Sequence, residues 1–182
     1  MIVVISGPPG SGKTTVAERF AKDHAYELVS AGAAFRELAE AYQMSLDAFG
    51  RYAEAHPEVD RDLDARIGSR VAERAARGAK TVVDGRVQPW LLPKRGLKCF
   101  KVLIDAPLPV RAERIAGREG KPLKQAKKEV RARERSERAR YKAIYGIDPR
   151  DRSAFDLVVD SSDKTPEAIA NILAEQVAAW AS

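Results

Sequence analysis

The chain has 182 residues, 45% of them hydrophobic and 32% charged, a globular balance that excludes general disorder and fits a single domain spanning residues 1–182. Its single cysteine, Cys99, excludes an intramolecular disulfide framework and suits a reducing cytoplasm, and no apolar run reaches membrane-spanning length. The formal net charge of +6 points to anionic partners, either a nucleic acid or small phosphorylated molecules.

The continuous β-branched run from Ile2 to Ile5 predicts a strand buried on both faces of a parallel sheet. No secretory leader is expected, because this short apolar run is consumed by the strand. Gly7 to Thr14 then reads G-P-P-G-S-G-K-T, a full match to the phosphate-loop pattern G-x-x-x-x-G-K-[ST], and Val16, Ala17, Phe20 and Ala21 follow at helical spacing. Strand, glycine-rich loop and helix in that order form a cradle whose N–H groups face a polyphosphate. Gly7, Pro8, Pro9, Gly10, Ser11, Gly12, Lys13, Thr14 and Thr15 are the candidate phosphate-binding residues, with Lys13 reaching the β- and γ-phosphates and Thr14 binding Mg²⁺. The loop predicts a nucleoside triphosphate ligand.

Further along, Tyr26 to Ala31 reads as a second strand and "FRELAEAY" resumes helical spacing. Ser45 is a good N-cap for a helix running towards His56. Pro57 opens the next helix, with Val59, Leu63, Ile67 and Val71 four apart and Gly78 as the stop. Lys80 to Gly85 and Phe100 to Ala106 read as strands three and four, and Cys99 at the edge of the latter reads as buried packing. A helix from Pro109 to about Glu119 is broken by "EGKP", and a long polar helix follows from Leu123 to about Tyr145. "FDLVVDS" is the fifth strand, and Thr165-Pro166 starts a last helix with an apolar stripe through Ile169, Ile172, Leu173, Val177 and Trp180. Five strands alternating with helices predict a parallel α/β sheet.

Three stretches fall where ligands bind in such sheets, near the carboxyl ends of strands. They are "SAGAAFR" (Ser30 to Arg36), "DGR" (Asp84 to Arg86) and the basic helix "RARERSERARYKAIYGID" (Arg131 to Asp148). On these elements the chain resembles a nucleoside monophosphate kinase, and most closely the archaeal-type cytidylate kinases, over nearly its whole length. Ser30-Ala31-Gly32-Ala33 with Arg36 is similar to the T-G-A-x-x-R element of cytidylate kinases, and Asp84-Gly85-Arg86 matches their D-G-R. "YAEAHPEVDRDLD" and "RYKAIYGID" look specific to the archaeal-type subgroup, whereas the bacterial R-D-x-x-D-x-x-R lid motif is matched only loosely by Arg133, Glu134, Glu137 and Arg140.

The resemblance implies an α/β P-loop kinase fold, a five-stranded parallel sheet with helices on both faces. It also implies a helical monophosphate-binding insertion at about 31–77 and a short basic lid at about 117–140. It implies ATP as phosphoryl donor, Mg²⁺ as cofactor and CMP or dCMP as acceptor. In that frame Arg36 and Arg86 hold the acceptor phosphate beside Ser30 and Gly85, Asp84 orients a water on Mg²⁺, and Arg133 and Arg140 act with Lys13 in catalysis. Gly117, Gly120 and Pro122 are the expected hinge points.

The residues of the basic helix also allow a plain solvated surface, because Glu129–Arg133 and Glu134–Arg138 stand at the i,i+4 spacing of ion pairs. A cytosine edge offers an amino donor beside two acceptors, which a carboxylate paired with an arginine would suit. Asp60, Arg61 and Asp64 are candidates, and the wet face of a helix is an equal reading of the same charges. His24 and His56 read as structural. Three other functions stay open: a monophosphate kinase for AMP or UMP, a small-molecule kinase of the shikimate or gluconate type, and an RNA-associated ATPase. The last is disfavoured because Tyr141 and Tyr145 are the only aromatics on the basic helix. A monomer or weak homodimer is expected, with neither membrane nor nucleic acid as a partner.

Overall fold

The computed structural model describes residues 1–181. Strand β1 (Ile2–Ser6) is wholly buried and forms the middle of the sheet, between β3 (Thr81–Asp84) and β4 (Phe100–Asp105). Strand β2 (Glu27–Ser30) pairs with β3 and β5 (Leu157–Asp160) with β4, so the order is β2-β3-β1-β4-β5 with every pairing parallel.

Helices cover both faces because successive strand residues point to opposite sides. Val3 and Ile5 pack with Val16 and Phe20 of α1 (Lys13–His24) and with Ile169 and Leu173 of α8 (Pro166–Ala181). Ile2 and Val4 pack on the other face with Ile67 and Val71 of α4 (Pro57–Ala76) and Leu92 of α5 (Gln88–Lys94). Two further helices, α2 (Ala31–Ala41) and α3 (Leu46–Ala55), lie between β2 and α4. After β4 come α6 (Leu108–Glu119) and α7 (Leu123–Tyr145), joined through Ile115, Ala126 and Val130.

The expected strands and helices are present with two differences. The second strand ends at Ser30, whose hydroxyl accepts the Ala33 N–H at 3.2 Å and starts α2 immediately, four residues before "FRELAEAY". Helix α5 has no counterpart in the sequence reading. It has only seven residues, with Pro89 in its first turn and Pro93 inside it, and burial of Leu92 rather than periodicity holds it. Ser45 caps α3 as expected, accepting the Ala48 N–H at 3.2 Å.

Candidate active site

Gly7 to Gly12 link β1 to α1, at the carboxyl edge of the sheet. Gly10 and Gly12 hold φ of 83° and 91°, the left-handed region in which a side chain is strained. Gly7 is needed for another reason: a Cβ there would lie 2.1 Å from the Ile104 carbonyl oxygen. The loop closes on itself through the Ser11 N–H to Pro8 carbonyl bond, 3.1 Å long. Lys13 and Thr14 face a cavity of about 600 Å³, the size of a small-molecule site. Thr15 is exposed on the next position of α1.

Parallel register sets Ile5, Asp84 and Ser30 side by side on β1, β3 and β2. Asp84 Oδ2 consequently accepts from Thr14 Oγ1 at 2.8 Å and from Ser30 Oγ at 3.1 Å. Its other oxygen, Oδ1, is buried with no hydrogen-bond partner among the described residues. A buried carboxylate oxygen without a donor, beside the phosphate-loop threonine, fits the hard oxygen chemistry of Mg²⁺ and its waters.

Arginines converge on the same cavity from three elements. Arg36 of α2 lines it, exposed and without an ion pair or hydrogen bond among the described residues. Arg133 of α7 lines it in the same uncommitted state. Arg86, just after β3, donates to Glu137 of α7 through Nε at 2.6 Å and again through Nη2, while its Nη1 donates to the Gly7 carbonyl. Burial works against the charge of Lys13 and pulls its pKa down, with Asp84 and Glu137 opposing that and Arg86 and Arg133 adding to it. Burial likewise opposes ionisation of Glu137, but Arg86, Lys13 and Arg133 together hold its carboxyl below the usual range.

A second polar group walls the cavity on α4. Asp60 and Arg140 form a buried ion pair of 3.1 Å, and the Arg140 guanidinium lies over the Phe35 ring, 5.2 Å from its centre. Burial pushes the Asp60 carboxyl up, and Arg140 offsets only part of that rise. Asp60 Oδ2 is engaged only through this ion pair, and Arg140 Nε is buried without a hydrogen-bond partner among the described residues. Behind this pair, Asp64 accepts from Gln88 Nε2 at 2.6 Å and from Tyr145 OH at 2.7 Å. Burial pushes its carboxyl up to about 6.

A family model of the cytidylate kinase-like family matches residues 2–163. The chain belongs to that family. It is 42% identical over 178 residues to the cytidylate kinase of Methanocaldococcus jannaschii, covering 97% of each chain. It is 40% identical over 169 residues to the cytidylate kinase of Pyrococcus abyssi, covering 93% of this chain and 89% of that one. Among solved structures, TT1252 from Thermus thermophilus superposes with a TM-score of 0.64 at 21% identity, covering 100% of this chain and 98% of the other. Shikimate kinase from Aquifex aeolicus gives 0.56 at 20% identity with the same coverage. These structural likenesses establish the α/β P-loop kinase fold.

With the family and fold in hand, the placement of each expected residue is informative. Lys13, Thr14, Arg36, Asp60, Asp84, Gly85, Arg86, Arg133 and Arg140 all line the one cavity. Two expected acceptor ligands stand behind it instead. Ser30 is occupied as the α2 cap and as a donor to Asp84, and Asp64 has both oxygens taken by Gln88 and Tyr145. Gly85 serves partly to admit Gln88, whose Oε1 would lie 2.0 Å from a Cβ there. The wet-face reading of Asp60 and Asp64 fails, since both are buried in phase with Ile67 and Val71. Arg61, by contrast, is exposed.

The Glu129–Arg133 and Glu134–Arg138 ion pairs expected along α7 are replaced by other partners, one on the same helix and the rest outside it. Glu129 accepts from Lys121 and Gln125, both at 2.9 Å, Glu134 meets Arg111 at 3.1 Å, and Arg138 meets Asp148 at 2.8 Å. Arg131 and Arg135 point away to solvent. His24 packs its ring on Phe20 at 4.9 Å, and His56 stacks on Tyr52 at 4.0 Å beside Glu58, which fits their structural reading.

Several residues of the site escaped the sequence reading. Arg111 donates to the Ala106 and Pro9 carbonyls at 2.8 and 3.0 Å, and Arg114 to Ser11 O and Ser161 Oγ at 3.2 and 3.0 Å, so α6 braces the phosphate loop. Their spacing of three on one helix was the available signal. Gln88 and Tyr145 gave none, since their partner Asp64 is remote in sequence.

Proposed function

We propose that this protein is a cytidylate kinase, moving the γ-phosphoryl group of ATP onto CMP, and onto dCMP, to release ADP and CDP or dCDP. The observation that carries the reading is the buried Asp60–Arg140 pair at the cavity wall, in which Arg140 Nε, a donor, has no hydrogen-bond partner among the described residues. A cytosine edge supplies the complement, an amino donor for the carboxylate and ring acceptors for the guanidinium. The similarity to curated cytidylate kinases supports the same base and disfavours AMP, UMP and RNA-driven ATP hydrolysis.

In this reading Gly7 to Thr15 cradle the ATP phosphates, and Arg36 and Arg86 hold the acceptor phosphate. An oxygen of that phosphate attacks the γ-phosphorus, and the bond from phosphorus to the β–γ bridging oxygen breaks as ADP leaves. Lys13 and Arg133 neutralise charge on the transferring group, which accounts for most of the catalysis where the transition state is loose, while Arg140, expected to act with them, is held by Asp60 and is assigned to the base instead. Magnesium, held by Thr14 and by waters that Asp84 orients, would neutralise charge on the phosphates. Helices α2 to α4 serve as the monophosphate-binding insertion and residues 117–140, most of them on α7, as the lid, whose closure excludes the water that would otherwise accept the phosphoryl group.

No described helix is long and apolar enough to cross a membrane. The cytoplasm is the compartment that suits Cys99, a buried thiol whose pKa burial pushes up to about 11. A monomer or weak homodimer is the assembly we assign. The deciding experiment is ADP release from ATP and Mg²⁺ with CMP, dCMP, UMP, AMP or no acceptor, each checked for its diphosphate. Fast release confined to CMP and dCMP supports the proposal, and equal release with AMP or UMP removes the cytidylate assignment.

A further inference from the structure

The edge of a guanidinium formed by Nε and one Nη is the fork with which arginine grips a phosphate. In Arg86 that edge is already taken, both donors ending on Oε2 of Glu137, and the Glu137 side chain is only 16% exposed. Lys13 and Arg133 line the same cavity and act on the same carboxylate. A carboxylate of the chain itself therefore occupies the phosphate-gripping edge of Arg86, among the cations that phosphoryl transfer requires.

We infer that Glu137 is a positioning residue that stands in for a phosphoryl group: its carboxylate holds Arg86 ready beside Gly7 and leaves when a phosphate takes its place. This rests on reading the cavity as a phosphoryl-transfer site and adds a residue to it. Glu137 lies on α7, and Arg86 on the segment that follows β3. The exchange thus ties movement of α7 to occupancy of the phosphate subsite. Until the exchange occurs, the three cations are kept from repelling one another, which an empty subsite would not achieve.

The test is calorimetric titration of Mg²⁺-tripolyphosphate, CMP and cytidine into the full-length protein and its Glu137→Gln variant. Without a competing carboxylate, tripolyphosphate and CMP bind about tenfold tighter to the variant, while cytidine, which carries no phosphate, binds equally to both. Unchanged or weaker tripolyphosphate binding in the variant overturns the inference, because a carboxylate that merely props Arg86 in place would on removal cost affinity. Glu137→Asp keeps the charge but draws it back by one methylene, so tripolyphosphate tightens there too, by less. If the Gln variant fails to fold, a loss of affinity in Glu137→Asp overturns the inference instead. Tripolyphosphate carries no base, so a failure of CMP to bind either protein would remove the cytidylate reading and leave this one standing.

Discussion

Asp60 and Arg140 lie 80 positions apart in the chain and meet at 3.1 Å with side chains only 3% and 6% exposed. A buried pair of this kind is costly to break because the survivor is a charge without a partner. Arg140→Met is expected to destabilise the fold by ~3–5 kcal/mol. Asp60→Asn combined with Arg140→Met should recover much of that, since no uncompensated charge is left. Chemical denaturation of the single and double variants checks it, and additive losses would contradict the pairing. Both single variants should also lose discrimination between CMP and UMP, read as the ratio of kcat/KM values.

Arg36 is the contrasting case. It lines the cavity but has no ion pair or hydrogen bond to lose among the described residues. Arg36→Ala should leave the melting temperature within about a degree of wild type, as surface substitutions do. The KM for CMP should rise by about tenfold or more, the loss of one charge-assisted phosphate contact. A fall in melting temperature with KM unchanged would show that Arg36 serves the fold and not the acceptor.

What could be read from the chain divides by sequence distance. The phosphate loop, its flanking strand and the helix after it are local, and their spacing and glycines were enough. The sheet followed from strands alternating with helices. Contacts that close the site are different in kind: Glu137 reaches Arg86 across 51 positions, and Glu134 turned to Arg111 instead of the neighbouring Arg138. Helical spacing ranks only the partners on one helix, so a tertiary neighbour with a better geometry goes unseen. The sequence left the burial of Asp60 and Asp64 open, although both fall in register with Ile67 and Val71 on α4, because a charge on an apolar stripe reads equally as its wet edge until its partner is known.

Asp84 links the metal expectation to a measurement. Its Oδ2 is held by Thr14 and Ser30, which leaves Oδ1 as the acceptor without a hydrogen-bond partner among the described residues. Asp84→Asn preserves the shape but turns one oxygen into a donor. The Mg²⁺ concentration for half-maximal ADP release should rise by about tenfold to a hundredfold, the usual effect of disturbing a group that orients metal-bound water. An unchanged magnesium dependence with reduced kcat would remove Asp84 from the metal site.

Asp64 makes stability depend on pH. Its carboxyl titrates at about 6 in the folded protein, against 3.8 when free, chiefly because it is buried and partly because Asp60 is near. Between those values the native state keeps a proton that the unfolded chain has released. The native state therefore binds more protons, and stability falls as pH rises through the window, with the full loss of ~3 kcal/mol reached above it. Asp64→Asn cannot ionise and still offers an oxygen to Tyr145 or Gln88, so it should escape this loss. Urea denaturation at pH 4 and pH 7.5 gives the test: the variant gains on wild type at the higher pH and not at the lower. An equal difference at both values would mean that Asp64 stays ionised throughout and that Gln88 and Tyr145 offset its burial.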